Sequence, residues 1–370
     1  MPGTLKGIEQ KQMNPTQKQF SLNRAASKKQ IPINMPKSPS ASSCQCGDRL
    51  NRRRFLKTTA AVALLPFGSV IEAADRIAAK PSANTSETLV TQLHKSLTEE
   101  QRKGMCFPFG HELQSKIDNN WRITEARVSQ FTEDQQQLIR DIFNGLHSEE
   151  YAKQVLQQVE HDNGKKGFGG CSVALFGEPG TGKFQFVFTG RHVTRRCDGD
   201  SVDGAAFGGP IFYGHQAGDD FDEKPTHPGN VYWYQAKRAN EVFQALDGKQ
   251  RKLALLDKAR AERKEQTIKL SGRKSGLEGI PLTELARDQK ELVRKVMADV
   301  LAPFRKGDAE ESMKLIEKNG FDHLHMAFYK GHDVGSDGMW DVWQIEGPAM
   351  VWHFRGDPHV HTWVHIRENA

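Results

Sequence analysis

Histidines carry the most chemistry in this chain. There are fourteen, and seven fall within residues 323–365. The densest run is Trp352-His353-Phe354-Arg355-Gly356-Asp357-Pro358-His359-Val360-His361-Thr362-Trp363-Val364-His365. Strand side chains alternate between faces, so His359, His361, Trp363 and His365 share one face. Val360, Thr362, Val364 and Ile366 share the other, which reads as core. His359 and His361 stand about 7 Å apart at the backbone, close enough to share one ion. The best third ligand is His192, in Thr189-Gly190-Arg191-His192, just after an apolar strand. His215, His353 and His365 are weaker candidates. All-imidazole sites suit zinc, copper, iron and nickel, and spacing does not choose among them. The competing reading is a solvated sheet face, or rings that hydrogen-bond backbone.

Other side chains add to this list. Arg191, Arg195, Arg196 and Arg355 could hold an anionic substrate through guanidinium forks, or be strand-edge charge. Glu346 or Asp357 could serve as a general base near a metal-bound water. Asp198, Asp200 and Asp203 could be oxygen ligands, or ordinary turn residues. Gly177-Glu178-Pro179-Gly180-Thr181-Gly182-Lys183 fits phosphate-loop spacing up to its lysine, but Phe184 stands where Ser or Thr should bind magnesium. A phosphate loop also opens a helix. Residues 184–189 instead alternate like a strand, so a hairpin turn is expected and a nucleotide site is not.

The elements that must position these residues come in two similar passes. Each has a Gln-Arg segment, an Asp-Gln helix, a second helix and then strands. The first pass places helices over 132–146 and 148–160, and strands over 171–176 and 184–189. The second places helices over 285–301 and 308–318, with Gly320 as C-cap. Its strands cover 323–329, 340–346, 349–354 and 359–366. Helices followed by hairpin-like strands predict an α+β fold and not a doubly wound sheet. The two halves, 80–240 and 241–370, suggest internal duplication, against coincidence among generic amphipathic helices. Duplication would set His192 opposite the His359/His361 pair, at the ends of corresponding hairpins.

Residues 1–60 hold twelve Lys/Arg and two Asp/Glu, while the chain holds 52 and 46. The remainder is therefore slightly acidic, which removes the main support for nucleic-acid binding. Residues 1–50 are rich in Ser, Pro, Gln and Lys and read as a disordered basic leader. Asn51-Arg52-Arg53-Arg54-Phe55-Leu56-Lys57 follows, then an apolar run over 58–69. Arg52, Arg53, Phe55, Leu56 and Lys57 match a twin-arginine export signal over 51–79, and the run is too short for an ordinary transmembrane helix. The expected partner is the twin-arginine translocation machinery. The expected location is periplasmic or extracellular, membrane-tethered if the signal stays attached. Cys44 and Cys46 lie in the leader. Cys106, Cys171 and Cys197 are too few for a disulfide framework; one bridge plus a thiol, or three buried thiols, are both open.

Together these segments resemble the family called domain of unknown function 3500, over roughly residues 90–368. The carrying residues are Leu97-Thr98-x-x-Gln101-Arg102, Phe176-Gly177-x-Pro179, Thr189-Gly190-Arg191-His192, Ala206-Phe207-Gly208-x-Pro210, Gly347-Pro348 and His359-x-His361. Members are often exported and carry a Gly-His-His-like motif after a strand. This chain departs at Arg191, where the motif's first histidine should stand, and at His353, where an acidic residue is expected. These departures imply a different ligand set. The family name supplies no activity. The functional expectation is an exported metal-dependent enzyme, hydrolase or oxidoreductase, acting on a small or polymer-derived substrate. The alternatives are a non-catalytic binding protein or a metal-handling protein.

Overall fold

Thr98, Thr132 and Asp247 each cap a helix, and the glutamine three residues on closes a capping box. The structure is a computed structural model describing residues 85–216, 231–333 and 336–370; the export motif lies outside the described residues. The first pass runs α1 (Ser86–Ser96), α2 (Glu99–Met105), β1 (Cys106–Phe107), α3 (Glu133–Gly145) and α4 (Glu149–Asp162). Strands β2 (Ser172–Gly177), β3 (Phe184–Gly190), β4 (Val193–Cys197) and β5 (Ile211–His215) follow. The second pass runs α5 (Tyr234–Ala245), α6 (Gly248–Ala254), β6 (Leu255–Leu256), a short β7 (Ile280–Pro281), α7 (Arg287–Leu301) and α8 (Lys306–Asn319). It ends on β8 (His325–Tyr329), β9 (Val342–Gly347), β10 (Met350–Arg355) and β11 (Val360–Ile366). Among the described residues no helix is long and apolar enough to cross a membrane.

The described strands form one sheet, in the order β1-β2-β3-β4-β5-β11-β10-β9-β8-β6, with β7 beside β8. Neighbours are antiparallel, except that β1 runs parallel to β2 and β6 to β8. The fold is therefore mixed α+β, as helices followed by hairpins predict. The strand order reads alike from either edge, with β5 and β11 as the central pair. Local chemistry repeats too. Gln101 Nε2 donates to Gln135 Oε1 at 2.9 Å, and Gln135 Nε2 to the Ser96 carbonyl at 2.9 Å. In the second pass Gln250 Nε2 donates to Gln289 Oε1 at 2.9 Å, and Gln289 Nε2 to the Ala245 carbonyl at 2.7 Å.

One face of the sheet carries Val173, Phe188, Tyr213, Trp352, Val360 and Val364 into the main core, with Val90, Ile142, Val242 and Val296 from the helices. The other face is covered by irregular chain with short 3-10 turns, and not by α-helices. Its apolar clusters are small: Ile117, Phe212, Ile268 and Trp363 form one, Ile123, Ala174, Phe176 and Val187 another, and Ala327, Tyr329 and Val342 a third. Between them the face is polar, and the histidines stand there. The phosphate-loop look-alike is the turn joining β2 to β3: Glu178 N–H donates to the Lys183 carbonyl at 3.0 Å, and a strand follows. Cys106, Cys171 and Cys197 are free thiols.

Candidate metal centre

Strand alternation puts His359 and His361 on the irregularly covered face, where the Phe212 and His361 rings pack edge-to-face with centroids 5.2 Å apart. His361 lies opposite Gly214 in the β5–β11 register. A Cβ at Gly214 would stand 2.1 Å from the Val360 carbonyl oxygen, so glycine lets β11 approach here. His192 sits in the two-residue turn between β3 and β4, with φ of 57°. A left-handed backbone is unfavourable for any residue but glycine, and such strain concentrates at functional sites. The His192 N–H donates to the Asn119 carbonyl at 2.8 Å, which pins the turn.

These rings converge. His361 Nε2 lies 3.0 Å from His359 Nε2 and 3.2 Å from His192 Nε2. An ion with metal–nitrogen bonds of about 2.0–2.1 Å keeps tetrahedral ligand nitrogens roughly 3.3 Å apart. The three histidines are only 3%, 5% and 5% exposed (His192, His359, His361).

Carboxylates fix two of the three rings. His192 Nδ1 donates to Asp162 Oδ2 at 2.5 Å, and His361 Nδ1 to Glu262 Oε2 at 2.7 Å. A donating Nδ1 leaves Nε2 as a lone pair aimed at the centre. Burial opposes the Asp162 charge, yet hydrogen bonds from His192 and His215 hold its carboxyl well below the usual range. Burial likewise opposes the Glu262 charge, but the His361 hydrogen bond and nearby Arg355 keep it well below its ordinary value. Burial pushes the His361 imidazole down to about 3, outweighing the opposite pull of Glu262. Burial lowers His192 as well. Charged carboxylates beside neutral imidazoles are the state that metal ligation requires. The two Nε2 lone pairs of His192 and His361, aimed at one point, repel one another, and a cation between them removes that repulsion.

Asp162, the last residue of α4, gathers further donors. Gln158 Nε2 reaches Oδ2 at 3.1 Å and the Gln216 N–H at 3.3 Å. His161 Nδ1 and His215 Nδ1 approach Oδ1 at 3.1 and 3.2 Å. His192, His359 and His361 form one group that could hold a metal, and His161, Asp162 and His215 form a second.

A family model described as protein of unknown function (DUF3500) matches residues 80–369. The chain belongs to that family. No curated protein and no solved structure matches it. In this DUF3500 chain the central histidines meet by a route different from the expected one. In the strand order the β3–β4 hairpin that holds His192 and the β9–β10 hairpin, turning at Pro348 and Ala349, lie equally far from the two edges, and the His359/His361 pair lies in neither. His192 meets that pair because β4, β5 and β11 are consecutive in the sheet.

The other candidates stand elsewhere. His215 is on Asp162, and His365 Nδ1 pairs with the Ile268 carbonyl at 3.0 Å. His353, on β10, is fully buried, and neither ring nitrogen has a hydrogen-bond partner among the described residues. The Arg355 guanidinium is committed to Glu262 at 2.6 Å. Glu346 is engaged by Arg260 and sits on β9, two strands from β11. Asp357 accepts from His332 Nδ1 at 2.8 Å. Arg195 donates to the Phe212 carbonyl at 2.8 Å, and Arg196 to the Pro210 and Gln114 carbonyls at 2.6 Å each. Those two guanidiniums hold loops and strands together. Asp203 pairs with Lys183 at 2.8 Å on the surface. Asp198 caps the Val202 N–H at 2.8 Å.

Sequence reasoning missed Asp162 and Glu262. The only sign of Asp162 was an acid beside a histidine at a helix C-terminus, where a negative charge is disfavoured. Glu262 lies in Arg260-Ala261-Glu262-Arg263-Lys264, which reads as solvated charge.

Proposed function

We propose that the chain is a metal-dependent enzyme whose centre is held by His192, His359 and His361. The observation that carries this reading is the convergence of three Nε2 atoms, two of them backed by carboxylates. Three protein ligands leave a fourth position for water or substrate, the pattern of catalytic and not structural sites. Imidazole nitrogen suits zinc, copper or iron. Zinc would activate water for hydrolysis, whereas copper or iron would support oxidation. The substrate is small or polymer-derived. Arg191, next to His192, is held by the Gln216 side-chain amide and, among the described residues, by no carboxylate, so it is the guanidinium best placed for an anionic group. Metal content of the natively purified protein tests the reading. Wild type should carry stoichiometric metal and His361→Ala should lose most of it, while His94→Ala should keep it. Absence of metal from wild type, or full retention in His361→Ala, overturns it.

A second reading has its own support. The low exposure of all three histidines favours a tightly held ion, as in a metal-handling protein. Turnover by the metal-loaded protein separates the two.

The same proposal includes export by the twin-arginine machinery, supported by Arg52-Arg53 and Phe55-Leu56-Lys57. Changing both arginines to lysine should leave the protein in the cytoplasm on fractionation. Duplication of an ancestral half is also part of it, supported by the palindromic strand order and the repeated glutamine pairs. The second half would then begin near Tyr234.

A further inference from the structure

Residues 257–279 run between β6 and β7 and lie over the polar face of the sheet. Their regular structure is one short turn, Lys264–Gln266. Among the described residues, one backbone hydrogen bond from this strap reaches another part of the chain: Gly272 N–H donates to the Pro348 carbonyl at 2.9 Å. Two buried apolar residues, Ile268 and Leu277, face inward. Ala259 packs partly buried against Ala327, Tyr329 and Val342, and the remaining anchors are polar. Arg260 Nε donates to Gln344 Oε1 at 2.7 Å, and its guanidinium also pairs with Glu346. Lys264 Nζ meets Asp118 Oδ2 at 3.0 Å. The Ile268 carbonyl meets His365, and Glu262 joins both Arg355 and His361. A segment with few backbone bonds and a thin apolar anchor belongs to the low-stability end of a structure.

One of those anchors ends on a candidate metal ligand. We propose that metal binding and docking of the 257–279 strap are thermodynamically coupled, with Glu262 as the positioning residue that joins them. This rests on the metal reading above. When the strap is docked, Glu262 accepts from His361 Nδ1, so Nε2 faces the centre. When the strap lifts, His361 loses that partner and its ring is free to turn. Loss of an outer-shell partner weakens metal affinity by about 10- to 100-fold. Binding coupling is reciprocal, so metal must favour the docked strap by the same factor.

The test uses the full chain, stripped with chelator and then reloaded with zinc alone. Trypsin reports on the strap, which exposes Lys258, Arg263, Lys264, Lys269, Arg273 and Lys274. Amide exchange over 257–279 gives a second readout. Zinc should slow cleavage and exchange in the strap by about 10- to 100-fold and leave the α7 core unaffected. Glu262→Gln should weaken zinc binding by a similar factor and abolish the response of the strap to zinc. Ile268→Ala loosens the strap at its apolar anchor and should also weaken zinc binding, which keeps the proposal testable if Glu262→Gln does not fold. Stoichiometric zinc binding with unchanged strap protection overturns the coupling and leaves the metal centre standing. Failure of wild type to bind zinc, copper or iron overturns both.

Discussion

His192 shows how much one residue is asked to do. It bends the β3–β4 turn with a left-handed backbone and also presents Nε2 to the centre. Alanine and glycine should both remove the ligand, but only glycine relieves the backbone. His192→Gly should therefore be more stable than His192→Ala by about 1 kcal/mol in denaturant melts without metal. Equal stability would mean the turn stores no strain. Asp162 is the second test. An asparagine amide turned toward His192 would offer a donor where Nδ1 needs an acceptor. Asp162→Asn should lower metal affinity about 10- to 100-fold, measured by competition with a chelator of known strength. Acid release follows from the same residues. His361 is depressed to about 3, so below the ordinary imidazole value of about 6.5 the folded state binds fewer protons than the unfolded chain. Its contribution to stability is present above that value and is lost as pH falls toward about 3. Asp162 and Glu262, both depressed, act in the same direction at lower pH. Metal should remain bound at pH 6 and leave on further acidification.

At the scale of elements, the centre depends on how closely β5 and β11 approach. Gly214 has no room for a Cβ against the Val360 carbonyl. Gly214→Ala should push β11 away beside His361 and reduce metal content while leaving the helices formed. Circular dichroism and metal analysis on the same sample check this. The β2–β3 turn makes the opposite prediction. Lys183 is exposed and pairs with an exposed Asp203. Lys183→Ala should leave melting temperature and metal content unchanged, because solvent-screened pairs contribute little. Tight ATP binding that this substitution abolishes would show the turn to be a phosphate loop after all.

For the whole molecule, charge is distributed against itself in one place. Burial raises Asp198 to about 6 and Glu311 to about 7, with Asp200 and Asp308 adding repulsion to both. A raised carboxyl favours the folded state when protonated. Its contribution is present below the unfolded carboxylate value of about 4 and is lost as pH rises through about 6 to 7. This opposes the histidine effect, so stability should peak at mildly acidic pH. Glu311→Gln should raise the melting temperature at pH 8 and leave it unchanged at pH 4.

Much of this architecture was legible in the chain. Period-two alternation over 359–366 separated the histidine face from the core face, because strand geometry is local. The helical segments read over 132–146, 148–160, 285–301 and 308–318 stand as α3, α4, α7 and α8, because helix formation is also largely local. Phe184 marked the false phosphate loop as a turn, and the motifs from Leu97 to His361 pointed to the DUF3500 family. The site was legible only in part. His192 and His361 are separated by 169 residues, and they meet because β5 pairs with β11 at the middle of the sheet. Strand order is set by long-range packing, which no local period encodes. Asp162 and Glu262 were invisible because a carboxylate in a charged stretch looks solvated until the fold buries it against a ring nitrogen. The sequence by itself determined which side chains share a face. The tertiary structure alone decided which faces meet, and which acids hold the histidines there.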